Sequence, residues 1–405
     1  MTQETLLRQI TDYANRANPY PLYAQLRETP VSRQEDGTYV VSTYREIVEL
    51  LHDPRISSDL RKRSQAGDEQ PDQQPQPSGL LTSFLGLDPP EHDRLRRLSM
   101  RQFGPPHRPG LVESIRLGMA SSVNILIDRV QDQRQIDIFK SVAYPFPVTV
   151  ICELLGVPRE DEPRFHVWAE AIIAPKDSEE AQQRSDQATA ELGQYLGGLA
   201  EAHSKQPGQD MLSGLATDNG PEGRMSPREL VSTAIILLIA GHETTVNLTD
   251  NGMLTLLRHP DILARLRREP DLITGLVEEL LRYEPPVQFL PQRTTLEEIS
   301  IAGTTIPKGV PLTLLLAAGS RDPERFSEPE RFDPDRQDNQ HLGFGSGIHY
   351  CFGAPLARLE VQTMLTELVR RLENPRLVVD PPPYRPSPVL RGPQQLLVEV
   401  DGVRA

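Results

Sequence analysis

Apolar residues recur at the three- and four-residue spacing of an α-helix through most of the chain. Alternation typical of a β-strand appears only in short stretches, at residues 37–42, 299–316 and 396–400. The pattern therefore predicts a mainly α-helical fold with small β-sheets. No repeat of fixed period and no long linker interrupts the sequence, which favours a single domain over residues 1–405.

Three helix starts are well marked. Residues 226–229 (SPRE) offer a capping serine, a proline in the first turn and a glutamate three residues after the cap, and they open a long helix towards Arg258. Residues 88–91 (DPPE) mark a second start in the same way, and a third follows Cys351. The long helix is apolar on nearly every side over residues 230–240, which predicts that it passes through the core.

Composition and charge exclude several classes of protein. With only two cysteines in 405 residues, Cys152 and Cys351, the chain is not a small disulfide-stapled scaffold. Its net charge of −14 disfavours nucleic acid as a partner. The N-terminus shows no signal or transit peptide, and the longest apolar run, residues 234–240, is shorter than the roughly 20 residues of a membrane span. We therefore expect a cytoplasmic protein that does not insert into membranes.

Cys351 lies in a glycine-dense loop, residues 344–353 (FGSGIHYCFG), that leads directly into the third helix. A helix N-terminus lowers the pKa of a thiol, and glycines let backbone N–H groups turn towards the sulfur. A thiolate held in this way is a ligand or a nucleophile, whereas the alternative is a buried free cysteine that acts as a small hydrophobe. The loop fits neither a phosphate-binding nor a dinucleotide motif, and Cys351 has no partners at zinc-ligand spacing.

This loop resembles the signature of the cytochrome P450 family of haem-thiolate monooxygenases at every fixed position, and three further family motifs occur in the expected order. The resemblance implies the single-domain P450 fold, with haem b (iron protoporphyrin IX) between the long buried helix and the helix after the cysteine. It also implies that Cys351 is the axial thiolate ligand of the iron, whose electron donation favours O–O cleavage. Phe344, His349 and Gly353 of the same loop would contact the haem.

The second motif, residues 279–282 (ELLR), places opposite charges three residues apart on one helical face. Taken alone, such a pair usually lies on a solvated surface and contributes little to stability. The resemblance makes Glu279 and Arg282 a buried structural pair behind the haem, tied to the loop of residues 328–336.

The third motif, residues 240–245 (AGHETT), lies inside the buried helix, where these residue types are locally unfavourable. One reading is a kink in which the Thr244 hydroxyl bonds back to a carbonyl. The resemblance implies instead that Ala240 leaves room for dioxygen at the haem, while Thr244 and Glu243 are catalytic, the first by hydrogen bonding to the oxygen and the second by delivering protons. His242, at the variable position of the motif, could join the proton relay, but the favoured interpretation is a satisfied core or surface histidine.

The fourth motif, residues 92–96 (HDRLR), puts His92 and Arg96 one helical turn apart on the same face. In isolation it reads as an ordinary basic helix face. In the family this pattern binds a haem propionate, and Arg293 and His349 match the other propionate partners. The same comparison implies a mainly hydrophobic substrate pocket. Its lining would be Ile236, Ile239, Ala240, residues 287–290 with Phe289, the loop of residues 79–84 and the turn of residues 392–395.

The resemblance implies an enzyme that inserts one oxygen atom from O2 into a hydrophobic small molecule, by hydroxylation or epoxidation, as in family members that tailor natural products. Because the chain has no flavin or dinucleotide fingerprint, electrons should come from a separate ferredoxin and its ferredoxin reductase. We expect this partner to dock on a cationic patch, formed by Arg94, Arg97, Arg101 and Arg358. Two alternatives remain: a peroxygenase or isomerase on the same haem scaffold, and a non-catalytic haem- or ligand-binding helical protein.

Overall fold

The structure is a computed structural model that describes residues 3–62, 83–103, 109–174 and 178–405. Residues 79–82 of the expected pocket loop lie outside this part of the chain. The α-helices of the described residues are α1 Gln3–Thr11, α2 Tyr20–Arg27, α3 Tyr44–His52, α4 Glu91–Phe103, α5 Pro109–Asp128, α6 Pro145–Leu155, α7 Glu162–Ile173, α8 Glu179–Lys205, α9 Met211–Thr217, α10 Pro227–Arg258, α11 Pro260–Arg268, α12 Ile273–Tyr283, α13 Leu316–Gly319 and α14 Ala354–Arg371.

The strands are short and form small sheets, as the sequence predicts. They are β1 Val31–Arg33, β2 Tyr39–Val41, β3 Ile56–Ser57, β4 Gln135–Asp137, β5 Leu290–Thr295, β6 Ile299–Ile301, β7 Thr304–Ile306, β8 Pro311–Leu314, β9 Leu372–Glu373, β10 Arg376–Leu377, β11 Leu397–Glu399 and β12 Gly402–Val403. The strand orders are β1-β2-β8-β5-β3, β10-β11-β4, β12-β9 and β6-β7. Within the first sheet β2 and β8 pair in parallel, with Val40 opposite Thr313.

Helix α10 runs through the centre of the molecule. Its first turn has the predicted capping box: the Ser226 hydroxyl accepts from the Glu229 N–H at 3.3 Å, and the Ser226 N–H donates to the Glu229 carboxylate at 2.7 Å. The helix packs against α6, α8, α12 and α14, and most of its side chains are buried. This central helix carries the residues of the third motif, so the core packing fixes their position.

The start of α4 lies where the sequence predicts it, but the Asp88 side chain does not cap the helix. Its carboxylate accepts hydrogen bonds from Ser57 Oγ at 2.5 Å, from the Ser58 N–H at 2.9 Å and from Lys62 Nζ at 2.8 Å. The Asp88 backbone carbonyl, by contrast, accepts a hydrogen bond from the His92 N–H in the first turn of the helix, at 3.0 Å. The carboxylate thus ties α4 to β3 and the turn after it.

Among the residues that the structure describes, two helices are long and apolar enough to cross a membrane by length and composition alone, Gly110–Asp128 within α5 and the whole of α10. Polar residues interrupt both helices, so neither helix contains a long unbroken apolar run. The most apolar window of α10 is 61% buried inside the protein. A core helix of a soluble protein passes the same test, so α10 is accounted for by its place in the core.

Candidate active site

Cys351 is held at the start of α14 by the backbone of its own loop. Its N–H donates to the Phe344 carbonyl at 2.9 Å. Gly347 adopts a φ of 68°, and a Cβ at this position would lie 2.1 Å from the Leu51 carbonyl oxygen. Only glycine fits this close approach between the cysteine loop and the end of α3.

Two opposing effects set the pKa of the Cys351 thiol. Burial raises it, and this outweighs the lowering by the N–H groups of Gly353 and Ala354 and by the guanidinium groups of Arg96 and Arg358. The prediction that the helix N-terminus gives a lowered pKa is therefore wrong in its net direction for the thiol alone. The N–H groups and arginines still favour the thiolate, and a bound metal ion deprotonates a coordinating thiol outright. The site fits a soft thiolate ligand.

Basic side chains from three elements gather beside the cysteine loop. The rings of His92 and His349 lie with their centroids 4.6 Å apart. Burial, reinforced by the nearby His92, Arg293 and Arg96, lowers the pKa of His349 to about 3 against the opposing effect of Asp88. Nε2 of His92 and both ring nitrogens of His349 are buried without a hydrogen-bond partner among the described residues. Buried polar groups of this kind require a partner, and two haem propionates would supply it.

Two arginines complete this group. Arg96 donates from Nη2 to the Tyr350 carbonyl at 2.6 Å, which joins α4 to the cysteine loop. Arg293 lies on β5, and its side chain forms no hydrogen bond or ion pair with any described residue. Burial lowers the pKa of both guanidinium groups. A bound anion would relieve this cost, because a buried charge needs a counter-charge.

The two aromatic residues of the loop are largely buried. Phe344 packs beneath the Arg358 guanidinium, whose carbon lies 4.6 Å from the ring centroid. Phe352 contacts Phe84 and Phe103, with ring centroids 5.5 and 4.6 Å away. The phenylalanine after the cysteine therefore belongs to the core and adds nothing to the protein surface.

Ala240 and Thr244 are among the least buried residues in the middle of α10. The Thr244 hydroxyl donates to the Ala240 carbonyl at 2.7 Å, so the backbone bond considered in the sequence is present. Because a hydroxyl oxygen has two lone pairs, Thr244 can still accept a hydrogen bond. Gly241 keeps the helix close to α6, since a Cβ there would lie 3.1 Å from Ile151.

Glu243 is paired with an arginine that the sequence did not single out. Arg385 Nη1 donates to Glu243 Oε1 at 2.8 Å, and both side chains are largely buried. Burial raises the pKa of Glu243 while Arg385 opposes the rise, so the net shift is upward. Arg385 reaches α10 because residues 384–393 fold back on themselves, with the Arg385 N–H bonded to the Gly392 carbonyl at 3.0 Å. No local sequence signal identifies such a long-range contact.

Of the core and surface positions considered for His242, the structure places it in the core. Its Nε2 lies 3.0 Å from the Tyr144 carbonyl, and its ring meets the Tyr144 ring edge to face. Burial lowers the pKa of His242 to about 4. The imidazole is therefore neutral near pH 7.

Glu279 and Arg282 form a fully buried ion pair on α12, with two hydrogen bonds of 2.8 Å. The remaining donors and acceptors of the pair bind residues 328–336 and their flanks. Arg282 donates to the carbonyls of Ser320, Pro329 and Arg331, and Glu279 accepts from the Asp333 N–H, Arg336 and Asn339. The pair thus joins α12 to this loop.

The residues expected to line a substrate pocket do not share one environment. Ile239 is partly exposed beside Ala240, whereas Ile236 is buried on the same helix. Phe289 is buried in a separate hydrophobic cluster formed with α1, α2 and α13. Ile239 and Ala240 therefore lie next to each other at an accessible position of α10, whereas Phe289 packs against the N-terminal helices.

The expected cationic patch is already neutralised inside the chain. Arg358 binds Glu278 at 2.6 and 2.9 Å, and the three arginines of α4 bind acids that lie more than 100 residues away in sequence. These ion pairs are Arg94 with Glu229, Arg97 with Glu222, and Arg101 with Asp218 and Glu222. The four arginines of the expected patch are therefore each paired with an acid inside the chain, because their partners come from distant loops and helices.

Comparison with known proteins gives the same family for the whole chain. The cytochrome P450 family profile matches residues 174–400. Cytochrome P450 monooxygenase PikC of Streptomyces venezuelae is 41% identical over 386 residues, covering 93% of this chain and 89% of that protein. 6-Deoxyerythronolide B hydroxylase of Saccharopolyspora erythraea is 38% identical over 398 residues, covering 95% and 96%.

A solved structure, that of the cytochrome P450 PksS of Bacillus subtilis, superposes with a TM-score of 0.88 at 31% identity, covering 96% of this chain and 99% of that one. The fold, the cysteine loop and the similar proteins all indicate the same family. The chain therefore belongs to the cytochrome P450 family and is a haem-thiolate monooxygenase that hydroxylates or epoxidises a small molecule with O2 and electrons from redox partners.

Proposed function

We propose that this monooxygenase oxidises a mainly hydrophobic natural product, such as a polyketide, in the cytoplasm. Two relatives whose names state such chemistry, 6-deoxyerythronolide B hydroxylase and mycinamicin IV hydroxylase/epoxidase, support this substrate class. The observation that carries the proposal is the Cys351 thiol at the start of α14, beside buried ring nitrogens of His92 and His349 that have no hydrogen-bond partner among the described residues. A screen of macrolactones for binding spectra, followed by product analysis, tests the substrate class.

The residues around Cys351 are suited to haem b. Cys351 would bind the iron, Phe344 and Gly353 would pack at the ring, and the two propionates would pair with the basic group, formed by His92, Arg96, Arg293 and His349. When bound, haem supplies the reductive activation of O2, which thiolate donation favours. Pyridine haemochrome analysis identifies the haem type.

Glu243 and Thr244 provide the proton path in this proposal. The raised pKa of the buried Glu243 carboxyl suits it to hold a proton near neutral pH and release it on demand. The neighbouring Thr244 hydroxyl, anchored on the Ala240 carbonyl, would pass the proton into the space beside Ala240. This pair favours a monooxygenase over a peroxygenase or isomerase, because neither alternative requires proton delivery to O2.

Replacing Thr244 by alanine should uncouple electron consumption from product formation. Without the hydroxyl, proton delivery loses its last donor, and reducing equivalents are diverted to hydrogen peroxide. We expect product per NADPH to fall by about tenfold or more, since positioned proton transfer typically contributes 10²–10⁴-fold. Thr249→Val is the matched control, because Thr249 makes the same kind of bond, to the Thr245 carbonyl, at a fully buried position. Full coupling in Thr244→Ala would contradict the proposed proton path.

We propose that the electrons come from a ferredoxin that docks beside the cysteine loop. With the arginines of α4 internally paired, the exposed apolar residues Ile348 and Tyr350, 47% and 39% accessible, are the better candidates for contact. Ile348 lies three residues from Cys351, so a protein bound there would lie close to the haem. A ferredoxin reductase would then supply the ferredoxin.

Ile348→Glu should slow reduction by an acidic ferredoxin about three- to tenfold, because it replaces an apolar contact with a repelling charge. Stopped-flow measurement of the first electron transfer at several salt concentrations tests this, with dithionite reduction as a reference that needs no docking. Val167→Glu, at a residue of α7 that is 65% exposed, is the control. Equal rates for the two variants would place the docking surface elsewhere.

We also propose that residues 1–405 act as one domain. Strand β2 near the N-terminus pairs with β8, and β4 pairs with β11 near the C-terminus. Hydrogen bonds between distant parts of the sequence leave no natural point of division. Limited proteolysis that released a stable, independently folded fragment would argue against this.

A further inference from the structure

One face of α10 carries a line of buried polar side chains beyond the catalytic pair. Glu243, Asn247 and Asp250 are spaced by four and three residues, so they lie along the same side of the helix. Asn247 and Asp250 are completely buried. Neither atom of the Asn247 amide and neither oxygen of the Asp250 carboxyl has a hydrogen-bond partner among the described residues.

The C-terminal segment of residues 384–393 covers this line. Arg385 binds Glu243, and its charge acts on Asp250 as well, while its buried Nε has no partner in the described part of the chain. Gly392 packs so closely on Asn247 that a Cβ would lie 2.4 Å from Asn247 Oδ1. Five buried polar atoms of Asn247, Asp250 and Arg385 therefore lack a partner among the described residues, and Arg385 connects this group to Glu243 by its hydrogen bond and to Asp250 by its charge.

These buried polar atoms destabilise the fold unless they gain hydrogen-bond partners. A buried polar group that has no hydrogen-bond partner destabilises the folded state, because it has lost its hydrogen bonds to water without replacing them. Proteins commonly satisfy such groups with buried water molecules that each make two to four hydrogen bonds. The amide of Asn247 offers both a donor and an acceptor, and Arg385 Nε offers a donor. Burial raises the pKa of Asp250 well above its ordinary value, and a protonated carboxyl offers both a donor and an acceptor. This set therefore offers both hydrogen-bond donors and acceptors to water molecules.

We propose that Asn247, Asp250 and Arg385 enclose buried water molecules and that Asp250 is a proton reserve that refills Glu243 during turnover. The inference rests on the proposed role of Glu243 as proton donor. It adds a positioning and proton-storing residue two helical turns away from the catalytic pair.

The proton transfer balances within the cluster. The O–H bond of protonated Asp250 breaks, a proton moves along the water molecules, and an O–H bond forms on the Glu243 carboxylate. Asp250 then regains a proton from solvent by way of Asp137, a half-exposed residue of β4 that acts electrostatically on Asp250. Arg385 and Asp137 are the charged groups that act on Asp250, and Arg385 holds the water chain next to Glu243.

Asp250→Asn tests the proposal in the haem-loaded enzyme, because the amide keeps the shape and hydrogen bonding of the carboxyl but cannot give up its proton in the same way. We expect a normal reduced CO spectrum, a fall of about three- to tenfold in product per NADPH, and a larger solvent isotope effect. The infrared spectrum should lose the C=O band of one protonated carboxyl. The control Thr249→Val should leave all these quantities unchanged.

A second variant tests the proposal independently, in case Asp250→Asn misfolds. Asn247→Leu removes the amide that bridges Asp250 and Glu243, and it should lower coupling by a similar factor while the carboxyl band remains. Full coupling in both variants, with Thr244→Ala uncoupled, would overturn the proton reserve and leave the proposed function intact. Full coupling in Thr244→Ala as well would show that the proposed function has failed.

Discussion

Cys351→Ser is expected to abolish monooxygenase turnover and the red-shifted Soret band of the reduced CO complex. A serine hydroxyl is a far weaker acid and electron donor than a thiol, so the N–H groups of Gly353 and Ala354 would face an oxygen that stays protonated. The haem, still surrounded by the basic group, would retain some binding. Product formation should fall to background, because O–O cleavage loses the thiolate donation on which it depends.

The control is the other cysteine. Cys152 is buried in the packing of α6, and burial raises the pKa of its thiol, which makes it inert. Cys152→Ala should keep the red-shifted band and full activity at a small cost in stability. A red-shifted band in Cys351→Ser would contradict the assignment of the ligand, and loss of the band in Cys152→Ala would question it.

Glu279→Ala should destabilise the protein by about 3–5 kcal/mol, because it leaves Arg282 as a buried charge without its partner. The same substitution frees the Asp333 N–H and Arg336, so the loop of residues 328–336 loses its attachment to α12. Denaturant unfolding of the haem-loaded protein, with the haem spectrum followed in parallel, measures both effects. A variant that unfolds at the wild-type denaturant concentration and binds haem normally would contradict the structural role.

Glu278→Ala provides a control one residue away. Glu278 makes a half-exposed ion pair with Arg358 and also binds His341 at 3.2 Å, so its loss should cost about 1.5–3 kcal/mol, less than the loss of the fully buried Glu279. Burial alone would raise the pKa of Glu278, but the hydrogen bonds from Arg358 and His341 lower it to about 2. The folded state therefore binds fewer protons than the unfolded state, and the difference from wild type should shrink as pH falls from about 4.5 to 2.

Local sequence signals predicted the elements that depend on local chemistry. The capping box at Ser226 and Glu229 fixes the start of α10, and the apolar residues that follow place this helix in the core. The glycines of the cysteine loop are required by short-range geometry, as the close approach of Gly347 to Leu51 shows. These features are encoded within a few residues of each other, so they can be read without the fold.

The errors concern contacts between distant residues. Arg97 was assigned to a cationic patch, and its partner Glu222 escaped notice because it lies 125 residues further along the chain. Arg385 was missed because its position against Glu243 depends on the path of the C-terminal segment. The prediction of a lowered pKa for Cys351 was wrong for a related reason. The helix N-terminus acts locally on the thiol, whereas burial depends on all the residues packed around it.

The sheets join the two ends of the chain, and this has a consequence for synthesis on the ribosome. Strand β2 ends at Val41, but the strand β8 that pairs with it in parallel begins only at Pro311. Strand β4 pairs with β11, which begins at Leu397 near the end of the chain. Pairings of such long sequence separation form late and slowly. The emerging N-terminal half would therefore expose an unpaired strand edge until most of the chain is made, which makes this interval the one most prone to aggregation.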